Sequence, residues 1–336
     1  LPGVSSTYFG PNANRPVIRG QDGDRIRVLG NGGAAFDASS LSFDHAVPID
    51  PLVVERVEVL RGPAALSYGG SAVGGVVNAI DNRIPREAVT AVSGAVEARL
   101  GGAAGERAAS ALVEGGGGAL AWHADAFWRR TDDLSVPDFD RPLEDGSSER
   151  RNFIANSASR ADGGALGGSF VWDAGYVGAS VDTYRNDYGI VAEDDITVQM
   201  RRDTFALAGE WRPRDGVFTA LRMQGNRTDY RHQEIEGDGA VGTTFSNEGA
   251  DARLEAVHRA LALGGGQLEG SFGLQYESSD FSALGEEAFV PSTHTRQQSV
   301  FVLERWSWGE GGSVSGGLRA AQVRVRSGGG ADPAAP

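Results

Sequence analysis

From about residue 88 onward the chain repeats one pattern, in which segments of about ten to fifteen residues alternate apolar and polar side chains with a period of two. Successive side chains of a strand point to opposite faces, so this period predicts long β-strands with one apolar and one polar face each. Over residues 119–130, Leu120, Trp122, Ala124, Ala126 and Trp128 share one face, while His123, Asp125 and Arg129 share the other. Over 217–230, Val217, Thr219, Leu221 and Met223 oppose Arg222, Gln224, Asn226 and Thr228. Leu268, Phe272, Leu274 and Tyr276 likewise oppose Glu269, Ser271, Gln275 and Glu277, and Ala252 and Leu254 oppose Asp251, Arg253 and Glu255. About eleven such strands can be counted.

The connections sort by length. Short turns at 172–175, 213–216 and 263–267 alternate with long polar stretches near 131–157, 188–196, 232–246 and 283–295. An outer-membrane barrel has this asymmetry, with strands apolar toward lipid and polar toward the lumen. A soluble sandwich turns its apolar faces inward and has no reason to sort loops by end. Trp128, Trp211, Tyr230, Trp306 and Trp308 lie near strand ends, where interfacial aromatic girdles belong. The expected fold class is therefore mainly β, a transmembrane antiparallel barrel over residues 86–336. No stretch approaches the run of about 18 apolar residues that a transmembrane helix needs.

Composition narrows the function. With 31 basic residues, all of them Arg, against 45 Asp+Glu, the net charge of -14 offers nothing to neutralise a run of phosphates, which argues against nucleic acid. The absence of Cys excludes a disulfide framework, a thiolate metal site and a cysteine nucleophile. The 49 Gly lack a three-residue period and read as punctuation between elements. The first residue is Leu and no signal-peptide order precedes it, so the chain is expected to be a mature form or a fragment.

Residues 1–85 read differently, as a small α+β globule. Val76-Val-Asn-Ala-Ile80 suits a buried strand entered through Gly74-Gly75, and Ala64 to Tyr68 a helical turn opened by Pro63. The boundary with the barrel is expected within 81–86.

Two stretches of this first region are specific: Arg15-Pro-Val-Ile-Arg-Gly-Gln-Asp-Gly-Asp-Arg-Ile-Arg-Val-Leu29, and Val54-Glu-Arg-Val-Glu-Val-Leu-Arg-Gly-Pro-Ala-Ala-Leu-Ser-Tyr-Gly-Gly-Ser-Ala-Val-Gly-Gly-Val-Val-Asn78. They closely resemble the plug domain of TonB-dependent outer-membrane receptors. The resemblance implies a plug (1–85) seated inside a barrel of which this chain carries the amino-terminal part, without the TonB-contacting segment or about half of the barrel. Within that family, Ser42-Phe-Asp-His-Ala-Val-Pro-Ile-Asp-Pro51 and Gly285-Glu-Glu-Ala-Phe-Val-Pro291 are similar to the zinc-uptake receptors. That similarity implies that Asp44 and His45 at the outer face of the plug bind metal, with Glu287 of a barrel loop as a further ligand. Imidazole and carboxylate both ligate zinc. Read without the resemblance, the Asp-His pair suits a polar loop equally well, and Glu286-Glu287 a solvated loop edge.

Arg56, Glu58 and Arg61 are expected to pair with charges of the barrel wall. The Gly69-Gly70 and Gly74-Gly75 pairs are no phosphate cradle, since no G-x-x-x-x-G-K-[ST] motif and no Lys accompany them. Asp132-Asp133 and Glu193-Asp194-Asp195 lie in loop-like segments and do not make a hydrolase pair. The expectation is thus a monomeric outer-membrane receptor of a Gram-negative bacterium, not an enzyme, holding no prosthetic group. It is energised by the TonB–ExbB–ExbD complex and takes up a metal, zinc first. Haem or a ferric siderophore is the alternative cargo, and a passive porin the weaker alternative class.

Overall fold

The computed structural model describes residues 1–69, 71–143, 145–285, 288, 290–309 and 311–328. In the first region, β1 (Val4–Ser6) pairs antiparallel with β2 (Pro16–Ile18). A four-stranded sheet follows, built from β3 (Ile26–Gly30), β4 (Gly33–Ala34), β5 (Arg56–Leu60) and β6 (Gly75–Ile80) in the order β4-β3-β6-β5. The turn α1 (Pro63–Leu66) precedes β6 and starts on Pro63, where a missing N–H costs nothing. Leu29, Ala65, Ala72 and Val76 form a small core against Leu60 and Tyr68. Strand and turn thus lie where the apolar run and the proline place them.

The remainder is one antiparallel wall. Its strands are β7 (Ser93–Gly101), β8 (Glu106–Gly117), β9 (Leu120–Thr131), β10 (Leu134–Pro142), β11 (Ser148–Ile154), β12 (Ser159–Trp172), β13 (Gly175–Gly189), β14 (Thr197–Trp211), β15 (Phe218–Ile235), β16 (Val241–His258), β17 (Leu261–Leu263), β18 (Gly266–Gly285), β19 (Thr293–Trp308) and β20 (Gly312–Ser327). The path is β7-β8-β9-β12-β13-β14-β15-β16-β18-β19-β20, with β17 paired to β18 and β10–β11 a separate hairpin. The period of two is realised as expected: Leu120, Leu166, Phe205, Leu254, Leu274 and Val300 face outward and exposed, while His123, Arg253, Gln275 and Ser299 are buried on the inner face.

Two stretches read as loops are shortened by strand at both ends. β15 runs to Ile235 and β16 starts at Val241, leaving only 236–240 as connection, and β18 and β19 shorten the last stretch to 286–292. Beyond the bilayer both faces of a barrel strand are wet, so the alternation that marks a strand fades there. Residues 131–157 hold the β10–β11 hairpin. Trp128, Trp211 and Trp308 are exposed, but Tyr230 is fully buried, because its parity along β15 puts it with Thr228 and His232 on the inner face.

The first region seats against that inner face. Asn226 donates from Nδ2 to the Ala34 carbonyl (3.2 Å), and the Ala34 N–H donates to Asp251 Oδ1 (3.1 Å), so two wall side chains hold one residue of β4. Gly33 makes this approach possible, since a Cβ there would lie 2.4 Å from Asn226 Nδ2. Arg253 and Arg319 both donate to the Ser67 carbonyl just past α1, at 2.5 and 3.0 Å. Arg27 pairs with Glu277 (2.5 Å), Asp50 with Arg129 (3.0 Å), and Arg83 with Asp125 (3.0 Å) and Asp182 (3.3 Å). Arg56 pairs instead with Glu58 on its own strand (3.0 Å), and Arg61 donates to the Pro2 carbonyl. β5 lies at the opposite edge of its sheet from β4, the strand that meets the wall.

Candidate metal centre

Residues 41–50 connect β4 to the later strands without regular secondary structure, so their backbone groups need partners from elsewhere. Tyr188, near the end of β13, supplies two: its hydroxyl donates to the Asp44 carbonyl and accepts from the Ala46 N–H, both at 2.9 Å. Arg202 of β14 donates to the Pro48 carbonyl at 2.8 Å. The segment is thereby pressed into the wall, and His45 is 1% exposed.

His45 meets β15. Along that strand His232 and Glu234 are two residues apart and therefore share the inner face. In register, His232 lies between Met200 and Phe245, and Glu234 between Val198 and Thr243, all of them buried. His45 Nε2 is 3.3 Å from Glu234 Oε1, and His232 Nε2 is 3.8 Å from the same oxygen. The ligand atoms of His45, His232 and Glu234 lie within 4.8 Å of one another. The two imidazoles pack edge to face with centroids 4.4 Å apart, and Phe245 closes on both, at 4.9 and 5.2 Å.

The hydrogen bonds fix which nitrogen of His45 is free. A carbonyl only accepts, so His45 Nδ1, 2.9 Å from the Ala38 carbonyl, carries a hydrogen and leaves Nε2 for the cluster. His232 Nδ1 is 3.1 Å from the Tyr230 hydroxyl, while its buried Nε2 has no hydrogen-bond partner. In the tautomer that donates from Nδ1 to the tyrosine oxygen, the Nε2 lone pair is free for a metal. Burial disfavours the charged form of His45, but the Glu234 carboxylate, the Ala38 carbonyl and the Asp44 charge outweigh it, and its pKa is raised above the ordinary histidine value.

Two imidazole nitrogens and one carboxylate oxygen converging among buried side chains form a donor set suited to a divalent transition metal. Tetrahedral zinc with bonds of about 2.0–2.1 Å holds its ligand atoms roughly 3.3 Å apart, so small shifts suffice here. The same segment borders a polar cavity of about 250 Å³ through Ile49, lined also by Arg83, Asp182, Arg202 and Arg222.

The sequence-derived candidates separate. His45 enters the cluster. Asp44 turns its carboxylate to the Ser42 hydroxyl and contributes its carbonyl to the Tyr188 contact. Glu287 lies outside the described residues. His232 and Glu234 were missed, although the spacing His-x-Glu carries the parity that places both on one face once the stretch is read as strand. His123 faces the lumen elsewhere, between Glu114 (2.9 Å) and Asp125 (3.0 Å).

The profile of the TonB-dependent Receptor Plug Domain family matches residues 1–76. Those residues are a TonB-dependent receptor plug domain. The wall around that plug has the barrel fold of solved receptors. "Copper transporter OprC" superposes with a TM-score of 0.77 at 15% identity, covering 97% of this chain and 50% of that one. The siderophore receptor PirA from Pseudomonas aeruginosa gives 0.66 at 19% identity, covering 96% and 56%. Among curated relatives, the hemin receptor of Yersinia pestis is 35% identical over 78 residues, 23% of this chain and 11% of that protein. The vitamin B12 transporter BtuB of Photobacterium profundum is 33% identical over 124 residues, 36% of this chain and 19% of its own length. The chain thus spans about half of the solved structures it matches. The plug and its barrel wall place it in the outer membrane, and the relatives are named as receptors and transporters rather than enzymes.

Proposed function

We propose that the protein is a TonB-dependent outer-membrane receptor that takes up a bare divalent metal ion, zinc foremost, with Asp44, His45 and Glu287 at its outer mouth. The observation that carries this reading is the cluster of His45 from the plug with His232 and Glu234 from the wall, each no more than 5% exposed. Ligand atoms within 4.8 Å of one another, beside the buried Phe245, Met200 and Val198, suit an ion rather than a porphyrin or a siderophore. The donor set matches zinc, and an ion held there would be handed toward the polar cavity below Ile49 when the plug moves. Pulling on the plug by the TonB–ExbB–ExbD complex supplies the energy in this mechanism. Asp44 of the plug, together with Glu287, would act in capture before the ion reaches His45.

The second reading, uptake of haem or a ferric siderophore, is favoured by the names of the hemin receptor and of PirA. Calorimetry on the intact receptor separates the two. Zinc should bind the wild type and be lost in His45→Ala, with the amount of folded receptor unchanged. Unchanged zinc binding in His45→Ala refutes the cluster, and preferential binding of haem or a ferric chelate moves the protein to the second reading.

A further inference from the structure

The bracket that Tyr188 places around His45 has a consequence for the metal centre. His45 is on a segment with no ladder of its own, and the main-chain groups on either side of it, the Asp44 carbonyl and the Ala46 N–H, are both bonded to one wall hydroxyl at 2.9 Å. Only a group that donates and accepts at once can do this, and Tyr188 is 2% exposed. Register places Tyr188 opposite Val198, and Val198 opposite Glu234, so hydroxyl and carboxylate occupy one row of the wall on alternate strands. The strand spacing of about 4.8 Å then separates them by roughly 10 Å, which is the gap that the His45 segment fills.

We propose that Tyr188 is the positioning residue of the metal centre: it touches no metal, but it sets the backbone at His45 so that Nε2 meets His232 and Glu234. This rests on the metal-uptake reading above. It also makes the centre conditional on seating, because the hydroxyl belongs to the wall and the imidazole to the plug. Displacing the segment separates His45 from its partners and opens the site in one movement.

Tyr188→Phe keeps the ring and removes the bracket. Groups that orient metal ligands from outside the coordination sphere are worth about 10–100-fold in affinity, and a loss of that size is expected for zinc in the intact receptor. Tyr184, four residues earlier on the same inner face, is buried, and its hydroxyl makes no hydrogen bond among the described residues, so Tyr184→Phe is the matched control and should bind as the wild type does. Cobalt(II) in place of zinc adds a readout that loosened packing would not move: the visible absorption of the four-coordinate ion should weaken and shift in Tyr188→Phe and stay unchanged in Tyr184→Phe. Equal affinity and equal spectra in Tyr188→Phe and wild type overturn the proposal, as does the same loss in both variants. Failure of the wild type to bind either ion overturns the underlying reading instead.

Discussion

At the scale of single residues, the metal centre is a competition between an ion and a proton for His45. Its raised pKa means that the imidazole gives up its proton at a higher pH than an ordinary histidine does, and a metal must compete with that proton. Zinc affinity should therefore fall as pH falls, and the loss should already be under way above about 6.5, the ordinary histidine value. Calorimetry from roughly pH 8 down to 5.5 in buffers of different ionisation heat would show both the weakening and the released proton; affinity independent of pH would exclude His45 as a ligand. How much of this centre the sequence displays depends on the element that carries each ligand. His45 stands in an Asp-His motif and is legible. His232 and Glu234 are two polar residues in a polar stretch, and nothing local distinguishes a strand that has left the bilayer from a loop. Tyr188 is less legible still, since its role exists only through a contact with a segment 142 positions away.

At the scale of elements, the period of two decides which face of each strand meets lipid, and that face was readable for β9, β16 and β18 from alternation alone. An arginine at the middle of β18 tests it. Leu274→Arg should cost about 2–4 kcal/mol near the bilayer midplane, whereas Glu269→Arg on the lumen face should cost under about 1 kcal/mol, read by reversible urea unfolding from lipid vesicles. Equal costs would contradict the assignment of faces. Gln275 is a poorer lumen control than its parity suggests, because it donates to Glu277 (2.6 Å) and accepts from Arg319 (2.9 Å) in the seam between plug and wall. Alternation shows that a side chain points inward; it does not show what waits there. The charges of β5 illustrate the same limit, since Arg56 and Glu58 satisfy each other and the pairing with the wall falls to Arg27, Asp50 and Arg83.

At the scale of the whole molecule, β7 and β20 are the outer strands of an open sheet and are not paired with each other among the described residues. Each presents a row of backbone donors and acceptors that hydrocarbon cannot satisfy. Expressed as these 336 residues alone, the chain should fail to give a heat-modifiable monomer in detergent or vesicles; a monomer band that shifts on heating would show that the two edges find partners without further strands. The strand count and the presence of a plug were readable in advance, but the seating of one on the other was not, because much of it is made through main-chain atoms. Ala34, Asp44, Ala46, Pro48 and Ser67 are each gripped by a wall side chain at a backbone N–H or carbonyl. Where the wall reads the path of the plug rather than its side chains, those side chains are free to drift over evolutionary time, so new cargo preferences can arise there without renegotiating the fit, while Arg27, Asp50 and Arg83 stay tied to their wall partners.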